Sequence, residues 1–216
     1  MLAARLVGDS GKVIGVDNDA GIIGQAKERV VKAGFQNVSF IKSDIGDIPN
    51  SERFDAIVGR LILQFLPDPG AVVNALVGLL RPGGVLAIQD ACWGPLLQQS
   101  AALPIRSKCV TLMYEAFQSF GAHVDMELVL FRTFQGAGLP PPTMRIEVPI
   151  GGDPGITQWV YGLFCSVLPR MLQHNLRVDD VGDMTTLRER LDAELASAKM
   201  FASTIGLVGA WSRKPR

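Results

Sequence analysis

Hydrophobic residues in the first ninety positions alternate between two periods. Short apolar runs predict buried strands at residues 13–16, 38–41, 54–58 and 85–88. Between them, apolar residues recur at helical spacing at residues 19–33 and 68–80. Strands that alternate with helices in this way are typical of βαβ units. We therefore predict an α/β fold built on a mostly parallel, doubly wound sheet with helices on both faces, in which residues 13–16 and 54–58 share one sheet.

The second half of the chain has a different pattern. Apolar stripes predict helices at residues 105–120 and 125–137, and residues 144–148 and 205–211 predict strands. Within residues 149–204, apolar side chains again recur at helical spacing, which indicates a helical insertion.

The length of the chain favours one domain. A chain of 216 residues, 48% of them hydrophobic, can bury one substantial core. We predict a single domain over residues 1–216, with residues 12–148 and 205–213 as its core. Residues 149–204 would then form a helical lid or substrate-binding insertion.

Net charge and cysteine spacing limit the classes of ligand and partner that the chain could bind. The 21 basic and 21 acidic side chains give a net charge of zero, so no overall field favours nucleic acid or an anionic membrane. A small-molecule substrate is the simpler expectation. The three cysteines are far apart and lack CxxC spacing, which argues against a disulfide framework and against a zinc site. We expect a cytoplasmic protein, and the oligomeric state stays open.

Ligands of open α/β sheets bind beyond the carboxyl ends of the strands. The residues at those positions are Asp17, Asp44, Gly59, Arg60 and Asp90. Asp17 can accept hydrogen bonds from both hydroxyls of a ribose, or it can simply cap the helix that begins near Asp19. Asp44 can accept from the exocyclic amine of an adenine whose ring is covered by Ile45, or it can belong to an ordinary polar turn.

The order of four segments is more specific than any one of them. They are Gly-Val-Asp at 15–17, Ser-Asp-Ile at 43–45, the strand at 54–60 with Leu-Pro-Asp-Pro at 66–69, and Leu-Arg-Pro-Gly-Gly at 80–84. Together they resemble the class I, Rossmann-like, S-adenosylmethionine-dependent methyltransferases over residues 12–90. The resemblance implies S-adenosylmethionine as the cofactor and methyl transfer to a small-molecule acceptor.

The resemblance also assigns residues to cofactor binding. They are Asp17, Asn18, Asp44, Ile45, Gly59, Arg60 and Gln64. In the family, the acid at the position of Asp17 binds the ribose, and the pair at Asp44 and Ile45 flanks the adenine. The segment from Gly59 to Gln64 corresponds to the one that lies beside the methionine and the sulfonium. No catalytic residue and no metal ligand is assigned.

The sequence departs from the family before Asp17. The family's glycine-rich loop follows its first strand, where the backbone must approach the cofactor closely, and no such segment precedes Asp17. Residues 1–7 resemble the end of the helix that follows this loop. In the family, the first strand lies between the two strands that here end at Asp17 and Gly59. We therefore expect this chain to lack that strand and loop and to bind S-adenosylmethionine poorly or not at all.

A methyl sulfonium is already activated, so a general base is optional. His123 and His174 could deprotonate an acceptor hydroxyl, but both lie near predicted helix boundaries, where exposed histidine is common. Several aromatic residues could line an apolar substrate pocket, although aromatics at helical spacing more often form a core. They are Trp93, Tyr114, Phe117, Trp159, Tyr161 and Phe164.

Two other functions remain open from the sequence. An NAD(P)-dependent oxidoreductase also carries an acid at the position of Asp17, but the turn at residues 80–84 and the lack of a Tyr-x-x-x-Lys set favour a methyltransferase. The second is a non-catalytic, methyltransferase-like protein kept for partner binding, which the missing glycine-rich loop supports.

Overall fold

The computed structural model describes residues 1–49 and 53–216 of the chain, which form two compact units, Met1–Arg53 and Phe54–Arg216. The first unit contains α1 (Leu2–Val7), β1 (Val13–Asp17), α2 (Ala20–Lys32) and β2 (Val38–Lys42). β1 and β2 pair in parallel, with Val13 opposite Val38 and Asp17 opposite Lys42. Their carboxyl ends therefore lie side by side.

Local sequence signals set the bounds of α2. The carboxylate Oδ1 of Asp19 accepts hydrogen bonds from the backbone N–H groups of Gly21 at 2.6 Å and Ile22 at 3.2 Å, which caps the first turn. Gly34 follows the helix with a φ of 75°, a conformation that glycine adopts without strain. The predicted helix at residues 19–33 is thus confirmed to within a residue at each end.

The second unit contains most of the regular structure. Its first elements are β3 (Phe54–Arg60), a 3₁₀ turn (Leu63–Phe65), α3 (Pro69–Leu79), β4 (Leu80–Cys92), α4 (Gly94–Ser100), α5 (Pro104–Ser119) and α6 (Met126–Gly136). The remaining elements are β5 (Thr143–Glu147), β6 (Ile150–Gly151), α7 (Pro154–Gln173), a 3₁₀ turn (Asp179–Val181), α8 (Leu187–Ala198), β7 (Ala202–Ser203) and β8 (Gly206–Arg213).

A four-stranded sheet in the order β3-β4-β8-β5 organises the second unit. β3 runs parallel to β4, and β8 runs antiparallel to both β4 and β5. The predicted stop at residues 81–84 is a bulge inside β4, because Leu80 lies opposite Phe54 whereas Val85 lies opposite Ala56. Gly83 takes a φ of 80° in this bulge. The strand is therefore longer at its amino end than the apolar run predicted.

The segment 149–204 is largely helical, as predicted, and consists mainly of α7 and α8 between the short antiparallel strands β6 and β7. α7 and α8 pack with α5 in one hydrophobic cluster, which includes Met113, Val160, Phe164, Met171, Leu187 and Leu191. Its role as a lid stays a prediction. Among the described residues, no helix combines the length and apolar character needed to cross a membrane.

One prediction about the sheet is wrong. β1 and β3 lie in different sheets. Strands share a sheet only through a continuous ladder of backbone hydrogen bonds, and within residues 1–49 and 53–216 no strand pairs with both β1 and β3. Parallel pairing is also less dominant than expected, since the pairs formed by β8 and the pair β6–β7 are antiparallel. The α/β class itself is confirmed.

Candidate functional site

The first unit brings together three of the residues predicted to bind a cofactor. Asp17 ends β1, and Asn18 follows it. The side-chain amide of Asn18 donates a hydrogen bond from Nδ2 to Oδ1 of Asp44, which lies just beyond β2, at 2.8 Å. The ladder between the strands continues one step further, because the N–H of Ser43 donates to the carbonyl oxygen of Asp17 at 3.0 Å. Both carboxylates therefore stand at the carboxyl ends of paired parallel strands.

Asp17 contacts the start of α2 but does not cap it, and its role in ribose binding stays a prediction. Its Oδ1 accepts a hydrogen bond from the backbone N–H of Asp19 at 2.9 Å, so the side chain does support the start of α2. The helix cap itself is Asp19. The other oxygen of Asp17, Oδ2, makes no hydrogen bond with the described residues, and the side chain is only half-buried. That oxygen is free to accept from a ligand hydroxyl.

Asp44 and Ile45 lie in a turn. The N–H of Asp47 donates to the carbonyl oxygen of Asp44 at 3.0 Å, and the Ser43 hydroxyl donates within the same turn, to the Asp47 carbonyl oxygen at 3.1 Å. The turn exposes the carboxylate of Asp44 and leaves Ile45 half-buried. The polar turn that the sequence allowed is therefore present, and it presents an acid next to an aliphatic side chain.

The other three predicted residues lie in the second unit. Gly59 sits opposite Ile88, and a Cβ at Gly59 would lie 3.0 Å from Cδ1 of Ile88 and 3.2 Å from Cγ2 of Ile62. Arg60 donates from Nε to the side-chain oxygen Oε1 of Gln89 at 3.1 Å, which holds the guanidinium on β4. The sequence does not predict this partner, because the contact depends on the register that places Arg60 opposite Gln89.

Gln64 lies in the loop of residues 61–66, which is anchored at both ends. The N–H of Leu61, a residue with a φ of 53°, donates to the carbonyl oxygen of Gln89 at 2.7 Å. The N–H of His123 donates to the carbonyl oxygen of Gln64 at 2.8 Å. The His123 ring lies with Nε2 3.1 Å from the carbonyl oxygen of Leu66, so this nitrogen acts as the donor. These bonds favour a structural role for His123.

Asp90 is the strand-end residue with the most unusual environment. Its side chain is completely buried, and neither carboxylate oxygen makes a hydrogen bond of normal geometry in the described structure. Burial raises the pKa of Asp90 from 3.8 to about 6, and the nearby backbone N–H groups of Ile62, Gln64 and Leu63 oppose this rise. The sequence marked its position at a strand end but could not show its burial.

The aromatic residues mostly form core, as the more common interpretation held. The ring of Trp93 packs against Tyr114 at 5.9 Å and Phe117 at 5.3 Å between centroids. Trp93 and Phe164 are buried, and Tyr114 is half-buried. Next to them, burial raises the pKa of Cys92 to about 11, which keeps this thiol protonated. Within the described part of the chain, no group of His, Cys, Asp and Glu is arranged to hold a metal ion.

Residues 1–129 match the family model described as a methyltransferase domain. This chain belongs to that family. The match covers both strand ends of the first unit and the segment from Gly59 to Gln64 in the second. Membership favours a methyltransferase over the NAD(P)-dependent oxidoreductase that the sequence had left open.

Individual relatives agree with the family. The chain is 37% identical over 90 residues to the arsenite methyltransferase of Halobacterium salinarum, a match that covers 41% of this chain and 23% of that protein. The YcgJ protein of Bacillus subtilis shares its fold, with a TM-score of 0.59 at 14% identity over 95% of this chain and 83% of that one.

A geranyl diphosphate C-methyltransferase from Streptomyces coelicolor, solved with Mg²⁺, geranyl diphosphate and S-adenosyl-L-homocysteine, has a TM-score of 0.54 at 15% identity over 99% of this chain and 65% of that one. Among the curated relatives, the matched region spans between 23% and 29% of the length of the two arsenite methyltransferases and a trans-aconitate 2-methyltransferase.

Proposed function

We propose that this domain binds S-adenosylmethionine and transfers its methyl group to a small-molecule acceptor. The observation that carries the proposal is the pairing of Asn18 with Asp44 beside Asp17, at the carboxyl ends of β1 and β2 in a chain of the methyltransferase family. Ligands of α/β sheets collect at this edge of the strands.

The residues of the first unit fit a nucleoside. The free Oδ2 of Asp17 is an acceptor for ribose hydroxyls, and hydrogen bonds to a charged acceptor are stronger than neutral ones. Asp44 keeps Oδ2 open while Oδ1 is held by Asn18, so it can accept from an exocyclic amine. Ile45 offers an aliphatic surface beside this acid. We assign Asp17 to the ribose and Asp44 with Ile45 to the adenine, and Asn18 orients Asp44.

In the second unit we assign Gly59, Arg60 and Gln64 to the methionine side of the cofactor. A Cβ at Gly59 would crowd Ile88 and Ile62, and without one this part of β3 presents backbone. The N–H of His123 donates a hydrogen bond to the carbonyl oxygen of Gln64, which restrains the loop of residues 61–66. A fixed loop loses little entropy when it contacts a ligand.

Methyl transfer from a sulfonium needs few catalytic groups from the protein. When bound, the cofactor would supply a methyl group activated by a sulfonium; its transfer would form a bond to a nucleophilic atom of the acceptor, break the bond between the methyl carbon and sulfur, and leave S-adenosylhomocysteine. The chain's own residues bind the nucleoside, orient the bound molecule and exclude water. The helical segment 149–204 is proposed to cover the acceptor, which is a small molecule of unassigned class.

Isothermal titration with S-adenosylhomocysteine tests the proposal directly. We expect saturable binding that is weak, so the titration should extend to millimolar ligand. Asp17→Asn keeps an oxygen for the N–H of Asp19 but removes the charge, and it should weaken binding about tenfold or more, as expected for loss of a hydrogen bond to a charged group.

Asp47→Ala is the matched control, because Asp47 is an exposed acid of the same unit whose turn contacts use only its backbone. It should leave the affinity unchanged. An absence of binding by the wild-type chain, or equal affinities for wild type and Asp17→Asn, would overturn the proposal.

A further inference from the structure

β5 forms an open edge of the four-stranded sheet. One side of this strand pairs with β8, and within residues 1–49 and 53–216 no strand pairs with its other side. An open edge presents backbone N–H and C=O groups that can pair with another strand. Arg145, Ile146 and Glu147 are all exposed on β5, and the apolar Ile146 keeps 47% of its surface accessible. A second strand can therefore reach this edge.

Two opposite charges stand on one face of this edge. Side chains alternate along a strand, so Arg145 and Glu147 point to one side of the sheet and Ile146 to the other. Both charged residues line the same groove on the sheet, together with Gly209 and Trp211 of β8. Neither belongs to an ion pair with the residues that the structure describes. Their charges are therefore available to a partner outside the chain.

The order of these residues makes β5 complementary to itself. When two copies of the strand pair antiparallel about a two-fold axis at Ile146, each Arg145 lies directly opposite Glu147 of the second copy. The two Ile146 side chains meet on the other face of the sheet. An axis moved by one residue would place Arg145 opposite Arg145, or Glu147 opposite Glu147, and like charges directly opposite are destabilising. The charges thus favour one register.

We propose that a second copy of this chain docks on the open edge of β5 and extends the sheet across a two-fold axis at Ile146. The axis repeats the contact between Arg145 and Glu147, so each dimer contains it twice. Pro149 follows the strand and has no N–H group, which limits the length of the new ladder. Because a single pair of strands buries a small surface, the dimer is reversible.

Sedimentation velocity of the whole chain at about 1 to about 500 μM tests the proposal, and we expect a monomer–dimer equilibrium. Arg145→Glu places two acids opposite each other at both copies of the contact, and Glu147→Arg places two cations there. Each variant should dimerise about tenfold more weakly than wild type. The double variant R145E/E147R restores opposite charges in the same register, so its dimerisation constant should return to within about threefold of wild type.

Lys108→Glu is the matched control for the charge reversals. It changes the net charge by as much as Arg145→Glu does, at an exposed position near the start of α5, where an acid is well tolerated. It should dimerise as wild type does. A wild-type chain that stays monomeric over this concentration range would overturn the proposal. So would a dimer that neither single reversal weakens, or a double variant that dimerises no better than the single ones.

A cysteine at the axis tests the register. Ile146→Cys brings two thiols together at a Cα separation of about 5 Å, which a disulfide spans, so an added oxidant should link the two copies. Thr143→Cys is the control, because its two copies would lie roughly 20 Å apart along the paired strands. Both variants keep the native Cys165 and share any background from it. Equal cross-linking of the two variants would exclude an axis at Ile146 and overturn the proposal.

Discussion

The side chain of Asn18 donates a hydrogen bond to that of Asp44 across the ends of two parallel strands, with Nδ2 and Oδ1 2.8 Å apart. The two residues are 26 positions apart, and the contact exists because β1 and β2 pair in register up to Asp17 and Lys42. An amide that binds one carboxylate oxygen fixes the direction of the other. Asn18 is therefore the residue that decides where Asp44 presents its free acceptor.

Replacing Asn18 should affect binding more than stability. Asn18→Ala should weaken S-adenosylhomocysteine binding about fivefold, because an exposed hydrogen bond to a charged group contributes about 1 kcal/mol. The free energy of unfolding should change by less than about 0.5 kcal/mol, as is usual at exposed positions. Titration calorimetry and urea unfolding measure the two quantities. Gln25→Ala, which removes an exposed amide on α2, should alter neither, and an equal loss of affinity in both variants would contradict the prediction.

Asp90 should make the stability of the chain depend on pH. Its pKa in the folded state is about 6, against 3.8 ordinarily, so the folded chain binds this proton more tightly than the unfolded chain does. The contribution of this group is fully present below about pH 4 and is lost as the pH rises through about 6, at a cost of up to roughly 3 kcal/mol.

Asp90→Asn removes that loss, so its stability advantage over wild type should grow from about pH 4 to about pH 7 in urea unfolding experiments. Asp55→Asn, at an exposed position, should show no such trend. A constant difference between Asp90→Asn and wild type across this range would show that the buried carboxyl does not titrate as described.

Substitution of Gly59 by a larger residue should lower the stability of the chain for steric reasons. Gly59→Ala places a Cβ 3.0 Å from Cδ1 of Ile88, and we expect it to destabilise the chain by about 1–3 kcal/mol. Ile88→Val removes Cδ1, so in the double variant the two costs should be less than additive. Thermal or urea unfolding of the two single variants and the double variant measures the coupling.

Gly78→Ala serves as the control for Gly59→Ala. Gly78 lies inside α3, and a Cβ there would meet no atom within 4 Å. This substitution should stabilise the chain by about 0.5–1 kcal/mol, because alanine loses less entropy than glycine in a helix. Full additivity of Gly59→Ala and Ile88→Val would exclude the contact with Ile88 as the cause.

Glu194 should contribute to the stability of the helical part of the second unit. From α8, its carboxylate accepts hydrogen bonds from the N–H groups of Ile105 at 2.6 Å and Arg106 at 3.0 Å, and so caps the start of α5. The Arg106 side chain is buried and donates to the carbonyl oxygen of Ser203. Glu194→Ala leaves two amides without acceptors near a buried cation, so we expect a loss of about 2–4 kcal/mol in urea unfolding.

Asp192→Ala is the comparison on the same helix. Asp192 pairs with Arg188 one turn away, at 3.0 Å, and both side chains are partly exposed. A pair of this kind contributes about 0.5 kcal/mol or less. Similar losses in Glu194→Ala and Asp192→Ala would mean that the cap on α5 contributes no more than a surface ion pair.

The sequence by itself determined the elements and the family. The apolar periods predicted α2, α3, α5 and α6 and the strands β1 to β5 and β8, because helix and strand periods, caps and stops are local properties of the chain. Asp19, for example, caps α2 through amides only two and three residues away. The order of short motifs then indicated a methyltransferase, which the family match confirmed.

Only the tertiary structure decided which strands pair and which side chains meet. The separate sheets of β1 and β3, the Asn18–Asp44 bond and the bond from Arg60 to Gln89 all join residues distant in sequence, and no local period specifies a partner. The burial of Asp90 depends likewise on how the loop of residues 61–66 and the neighbouring strands close around it. Hydrogen-bond ladders and burial are set by the packing of whole elements, whereas the sequence pattern reports only the preference of each element taken alone.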